Sequence, residues 1–473
     1  MLLTDALGLS LRQSEVDFVI PNVDKDLNLY VDPYLFYQSD NQTYQAVHAT
    51  LHEFFSIAIE QVRNGREAVA ERMLDFPEVK ETMLGMTKKS HRGRGMGDKR
   101  GQIILDEIVS NRDIQKKGLT HLAEMQLLIE GVGYDLISDM CTNIAKPFFV
   151  DYTVRQANLY GIPLEKGVCL EHVFDWDLLS WDDIHTDLPV NPRNGVPILF
   201  VPKVVVRRFP VFDYRDFWNS TYRYVLRNME LGRSFRAIGK QPKLTWKQIN
   251  EKYGFTKKTV VKALHRDPNL RHAYVEKLEK RRKDVIPPAE LFKVVGADRV
   301  ERKAPEFEAE LGSLKPGNAG AKEYERVVTR ILTKLFCPPL SDPKTQVGSH
   351  DGREYVDITF YNGAKEGFWQ DIKQLWRSQI VVFEVKNMED LGNEEFFQLS
   401  ARLDDVRGFF GVLVSRRKDN LDIQRAYRRL NKDRKVLITL SDADLLGMLY
   451  GLDNGNDPTQ VFQAMYRTFI DAQ

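Results

Sequence analysis

Cysteine is scarce in this chain of 473 residues, with Cys141, Cys169 and Cys337 odd in number and far apart. A disulfide framework is therefore excluded, and no cysteine pair has the spacing of a zinc site. Long apolar runs are missing as well, so no stretch approaches a membrane span. Met1-Leu-Leu-Thr-Asp-Ala6 has no basic region ahead of an apolar one, and the expected location is cytoplasmic, with no membrane partner. No internal repeat or low-complexity tract interrupts the chain. Net charge is almost absent at +1, but it is unevenly spread. From Lys240 to Lys303 there are 18 Lys/Arg against 8 Asp/Glu, a local excess of +10 that leaves about −9 for the remainder. Such a local excess is an electrostatic footprint suited to a phosphate backbone.

At this length two or three domains are expected, and the mixture of helical and strand patterns predicts an α/β protein. Residues 1–239 read as an N-terminal α/β domain with a possible regulatory role. Leu27 to Pro33 resembles a short strand ending at a turn, where Asp32 is more simply a turn residue than a catalytic one. Tyr44 to Val62 carries Val47, Leu51, Phe54, Phe55 and Ala58 at helical spacing. Leu119 to Leu159 is mainly helical in pattern. Within it Asp135 and Asp139 fall one turn apart; helix entry explains Asp135 more simply than a shared cation does. Gly195 to Val206 is apolar enough for a buried strand, which Pro197 and Pro202 would confine to a sheet edge.

Two basic stretches are candidate nucleic-acid contacts. Lys88, Lys89, Arg92 and Arg94 sit among glycines at 93, 95, 97 and 101, a backbone able to mould itself to phosphates. A surface loop with no special duty fits the same residues. Residues 240–303 form the basic segment, in which Leu244 to Leu264 reads as helix, turn at Gly254, helix. Lys257 and Lys258 open the second helix. A helix-turn-helix reader has this pattern, and so do two ordinary basic helices. A charged helix from Glu276 to Lys283 is broken by Pro287-Pro288, and the proline-containing 304–316 reads as a linker.

Residues 317–473 hold the most informative stretch. Ile380-Val-Val-Phe-Glu-Val-Lys-Asn387 alternates as an interior strand, with Glu384 and Lys386 on one face. Asp357 stands in a second β-type run, Tyr355 to Phe360. If the two strands are neighbours, Asp357, Glu384 and Lys386 converge. Two carboxylates suit a hard divalent cation such as Mg2+ or Mn2+, and one of the waters it retains can become a nucleophile. An ordinary lysine, with a pKa of about 10.4, is a poor base, so Lys386 contributes positioning and charge. Glu-x-Lys alone is a weak pattern, since alternating charge is common on solvated strands.

These residues resemble the PD-(D/E)XK nuclease superfamily, which includes type II restriction endonucleases. Val356 stands where the literal motif has proline. Gly320 to Glu325 opens an amphipathic helix, and Glu325 resembles the glutamate of that superfamily's first helix. Gln398, on a helix expected over 393–405, resembles the polar residue beside the Glu384 strand. A strand at 344–347, then strands at 408–415 and 435–440 with helices between and after, match the core order αβββαβ. The resemblance implies a restriction-endonuclease-like mixed sheet, DNA as substrate, Asp357 and Glu384 as metal ligands, and Lys386, Glu325 and Gln398 as further site residues. Cutting a duplex requires two strand scissions, so a homo-oligomer with paired sites is expected. A large front half suggests a gated effector of prokaryotic defence. Two alternatives remain: an end- or structure-specific nuclease of repair or mobile elements, and a catalytically dead DNA-binding protein.

Overall fold

A computed structural model of the chain describes residues 1–85, 97–238, 244–280, 301–348 and 355–471. Lys88, Lys89, Arg92 and Arg94 lie outside the described residues.

The N-terminal core is built mainly of helices. The longest, Gln42–Arg63, starts where the Asn41 side chain accepts the Thr43 N–H at 2.9 Å, satisfying one of the first-turn donors. Tyr44, Val47, Leu51, Phe54, Phe55, Ala58 and Val62 recur every three or four residues and are all buried. Each of the two phenylalanines contributes roughly 1.5–3 kcal/mol by leaving water. Tyr134–Ile144 and Lys146–Tyr160 pack into the same interior. Asp135 lies in the first turn of the former, where a helix favours an acid. Asp32 caps helix Pro33–Gln38 by accepting the Tyr34 N–H at 3.0 Å, which agrees with its reading as a turn residue.

The strands of this region differ from expectation. Strand β1 is only Tyr30–Val31 and pairs with the equally short β4, Val206–Arg207. Between them in sequence comes a hairpin, β2 (Glu165–Asp175) with β3 (Ser180–Leu188), which the residue pattern did not announce. Two register shifts break its alternation, and of its side chains only Leu170, Val173, Phe174 and Leu188 are buried. In the apolar stretch Gly195 to Val206, Ile198 to Pro202 and Val205-Val206 are buried as expected, but most of the stretch makes no ladder. Its donors are satisfied one at a time: Ile198 by the Pro189 carbonyl, Leu199 by the Glu81 carbonyl and Phe200 by the Thr153 hydroxyl. Pro197 and Pro202 remove the N–H groups that a continuous ladder would need.

Two boundaries require correction. The basic segment at 240–303 does not stand apart where it is described. Its helices Trp246–Tyr253, Lys257–Arg266 and Asn269–Glu279 bury Ile249, Val260, Leu264, Tyr274 and Leu278 in the N-terminal core. Arg271, only 2% exposed, fastens them by ion pairs to Asp113 at 2.9 Å and Glu124 at 3.5 Å. The expected linker 304–316 contains a helix, Ala304–Ser313, whose Ala304, Phe307 and Leu311 belong to the C-terminal core. Pro305 lies in its first turn, where a missing N–H costs nothing.

The C-terminal core is a five-stranded mixed sheet in the order β5-β6-β7-β8-β9. These strands are Leu340–Gly348, Tyr355–Asn362, Ile380–Lys386, Phe410–Ser415 and Val436–Ser441. The pairs β5–β6 and β6–β7 are antiparallel, and the pairs β7–β8 and β8–β9 are parallel. Helix Ala321–Phe336 precedes the sheet, Asn393–Arg402 joins β7 to β8, and Asn420–Asp433 joins β8 to β9. The order helix, three strands, helix, strand is the one expected. Helix Gly367–Leu375 fills the β6–β7 connection; its Trp369 is 1% exposed and stacks on Phe462, so this aromatic serves the core.

The two cores meet along a polar seam. Glu15, fully buried, faces Arg302 at 3.5 Å and Arg330 at 3.6 Å. Asp17 accepts hydrogen bonds from the Tyr152 hydroxyl and the Asp342 N–H. The same helix, Lys146–Tyr160, rests beside β5, with Arg155 Nη1 3.2 Å from Asp342 Oδ1 and Gln156 Nε2 donating to the Pro343 carbonyl at 3.3 Å. Among the described residues no helix is long and apolar enough to cross a membrane.

Candidate active site

The β6–β7 ladder has Ile358 opposite Phe383, which makes Asp357 and Glu384 the next facing pair toward the strand ends. At that point Asp357 Oδ2 accepts the Val385 N–H at 2.9 Å. A side chain has taken the place of a backbone acceptor, and a cleft opens beyond it. Residues facing each other across an antiparallel pair share a face, so Asp357, Glu384 and Lys386 are brought together. Lys386 Nζ is 2.6 Å from Glu384 Oε1 and 3.8 Å from Asp357 Oδ2.

The cleft has a volume of about 670 Å3. Asp357, Lys386, Glu325 and Gln398 line it, so four of the five expected side chains reach one cavity. Glu384 is the exception. It is fully buried and is held by two cations, Lys386 and Arg402, the latter from the end of helix Asn393–Arg402. A buried carboxylate survives only when paired, and both of its oxygens face a positive group. Gln398 reaches the cleft but bonds to Glu394 Oε1 at 3.2 Å rather than to the triplet.

Glu325 stands on helix Ala321–Phe336 across from Asp357. Burial, and then the Asp357 charge, push its carboxyl up to about 7, although Gln346 Nε2 donates to Glu325 Oε2 at 3.2 Å and opposes the shift. Two carboxylates that repel each other in an open cleft of oxygen donors form a donor set that suits a hard divalent cation. Among the described residues no three or more His, Cys, Asp or Glu side chains are grouped so that they could hold a metal ion. Lys322 and Arg326 also line the cleft and lend it positive charge.

Several contributors were not legible in the sequence. Gln346 comes from β5, a strand with a faint pattern. Arg402 follows Gln398 by one helical turn, so that spacing is the signal that would have found it. Asn387 donates to the Lys315 and Gly317 carbonyls at 2.9 and 2.8 Å and fixes the loop at the cleft mouth. Asn158 and Leu159 come from the N-terminal core and complete one wall.

The other candidate contacts are divided. Lys257 Nζ donates to the Val132 carbonyl, and burial pushes its ammonium down to about 8. Lys257 is thus turned inward, whereas Lys258 is exposed, as are Lys262 and Arg266 on the same helix.

The family described as "Domain of unknown function (DUF8370)" matches residues 8–213. The 80.3 kDa protein attributed to transposon gamma-delta in Escherichia coli (strain K12) is 34% identical over 109 residues, which is 22% of this chain and 15% of that protein. This chain therefore spans a small part of the length of the curated relative it matches. Among solved structures, the restriction endonuclease FokI bound to DNA aligns over 70% of this chain and 62% of that one, at 14% identity and a TM-score of 0.23, a likeness too slight to bear on fold or function.

Proposed function

We propose that the C-terminal core is a metal-dependent nuclease that hydrolyses phosphodiester bonds of DNA. The observation that carries this reading is the meeting of Asp357 and Lys386 at the wall of an open cleft, with Glu384 behind them. Asp357 and Glu384 would hold Mg2+ or Mn2+, with Glu325 supporting from the facing helix. Such a cation polarises the phosphate and lowers the pKa of water. Lys386 orients the attacking water and faces the charge that grows on the phosphate. Lys322 and Arg326 receive the flanking phosphates. Attack in line on phosphorus expels the 3′ oxygen and leaves a 5′-phosphate, the ends that the superfamily resemblance implies. Glu384 shares its charge with Arg402, so a cation competes with that guanidinium for it.

The cell setting divides into defence and mobile-element processing. The relative attributed to a transposon favours the second. Linear, circular, nicked and branched DNA offered to the full chain with Mg2+ separates the two, because an end- or structure-specific enzyme discriminates among them. Asp357→Ala and Lys386→Ala are each expected to abolish cleavage while DNA is still retained in a gel-shift assay. Cleavage that persists in both variants overturns the assignment.

A further inference from the structure

Positive charge also gathers away from the cleft, at a place where the chain supplies no anion to meet it. Between Asp216 and Glu251 there are seven Lys/Arg and one acid, Glu230. Glu230 is already engaged by Lys252, by Arg233 at 3.1 Å and by the Tyr253 hydroxyl at 2.5 Å. Arg223 and Arg227 are left over. They stand one turn apart on helix Arg223–Ile238, so their like charges share a face and repel. Among the described residues neither guanidinium has a carboxylate partner or a hydrogen bond.

Aromatic rings fix both arginines. Trp246, half-buried at the start of helix Trp246–Tyr253, has its ring centroid 4.6 Å from Arg223 Cζ and 4.8 Å from Arg227 Cζ. That helix is anchored in turn by Ile249, which is buried in the N-terminal core. A guanidinium stacked by its face keeps its edge N–H groups for an anion lying in its plane. Burial without a hydrogen bond is confined to Nε in each arginine, so the Nη ends are the donors left for a ligand. Two such forks side by side suit the oxygens of a phosphate. Beside them the Tyr224 ring, 47% exposed, meets Trp246 at a steep angle with centroids 4.8 Å apart. A phosphate alone has no use for an exposed ring, whereas an unpaired base stacks on one.

We propose that Arg223, Arg227 and Tyr224 form a binding site for single-stranded DNA, with a backbone phosphate between the two guanidiniums and an unpaired base on Tyr224. Trp246 is the positioning residue, since it orients both arginines without having to touch the strand. None of the four lines the cleft, so the site grips DNA away from the phosphate that reacts. The proposal rests on the nuclease reading for the choice of DNA as the polyanion, and it adds to that reading a preference for DNA with unpaired bases.

The test uses the full chain with a chelator present, so that nothing is cut, and follows the fluorescence anisotropy of a labelled oligothymidylate strand across a salt series. A labelled duplex is the comparison. Replacing both arginines, Arg223→Gln with Arg227→Gln, should lower the slope of log affinity for the strand against log salt by about 1.4, at about 0.7 per phosphate contact. Tyr224→Ala should weaken strand binding by about 5- to 150-fold, the worth of one stacked base, and Tyr224→Phe should restore it. Duplex binding should change little with Tyr224→Ala. Tyr224 is exposed and its two variants differ only in the ring, so a general loss of folding is told apart by the recovery with phenylalanine. The proposal is overturned if Tyr224→Ala binds the strand as the unsubstituted chain does, if the arginine pair leaves the slope unchanged, or if duplex binding falls in the same proportion. Asp357→Ala should bind the strand normally. Cleavage plays no part in the readout, so failure here leaves the catalytic assignment standing, and loss of that assignment is read separately from the Asp357 and Lys386 variants.

Discussion

Arg402→Ala removes the guanidinium that faces Glu384 and leaves a carboxylate with no exposure of its own. Truncating one partner of a buried ion pair costs about 3–5 kcal/mol, because the other charge stays desolvated. Here Lys386 remains 2.6 Å from the second oxygen of Glu384, so the lower end, about 3 kcal/mol, is expected. Urea unfolding of the full chain, followed by circular dichroism and tryptophan fluorescence, measures the loss in the transition of the C-terminal core. In a Glu384→Gln background the uncompensated charge is gone and the same substitution should cost less, giving a coupling of about 2 kcal/mol. A loss under about 1 kcal/mol for Arg402→Ala, or an equal loss in the two backgrounds, refutes the reasoning.

The remaining predictions address the cleft, the basic helix and the sheet. The Glu325 carboxyl is raised to about 7 in the folded chain, above its unfolded value, so its stabilising contribution is complete below about pH 4.5 and is lost as pH rises through 7. Glu325→Gln should remove that part of the slope in a stability-versus-pH series, and an unchanged slope counts against the assignment. Lys258, Lys262 and Arg266 recur every four residues on an exposed helix face, and replacing all three by alanine should reduce the slope of log affinity for DNA against log salt by about 2.7. Lys257→Ala should leave that slope unaltered, since its ammonium is committed to the Val132 carbonyl. Gly408 has φ +96°, and an added Cβ would stand 2.4 Å from Ser378 Cα, so Gly408→Ala should cost at least about 2 kcal/mol in the same urea assay. Gly447, inside helix Asp442–Asp453 with open space around it, provides the contrast: Gly447→Ala should stabilise by about 0.5–1 kcal/mol.

Local pattern is enough to reveal most of the C-terminal core. Val381, Phe383 and Val385 alternate with Val382, Glu384 and Lys386, and two charges at the end of a buried strand are groups that only pairing or chemistry can hold there. The helix Ala321–Phe336 and the strands after β7 are equally plain, because each carries its own period in a short window. Prolines mislead a local reading: Pro305 reads as part of a linker and begins a helix, while Pro197 and Pro202 sit in a buried stretch that, up to Val205, satisfies its donors outside any ladder. The β2–β3 hairpin escapes notice because its register shifts destroy the alternation by which strands are recognised.

The sequence by itself determined the element order of the C-terminal core and the chemical character of Asp357, Glu384 and Lys386, since periodicity and side-chain chemistry are properties of neighbouring residues. Only the tertiary structure decided that Arg402 and not solvent would face Glu384, that Lys257 would turn inward, and that His48 would meet His121 across 73 positions of chain. Such contacts join residues with no shared local pattern. They arise when packing fixes which elements become neighbours, and the burial that follows sets which charges must find a partner.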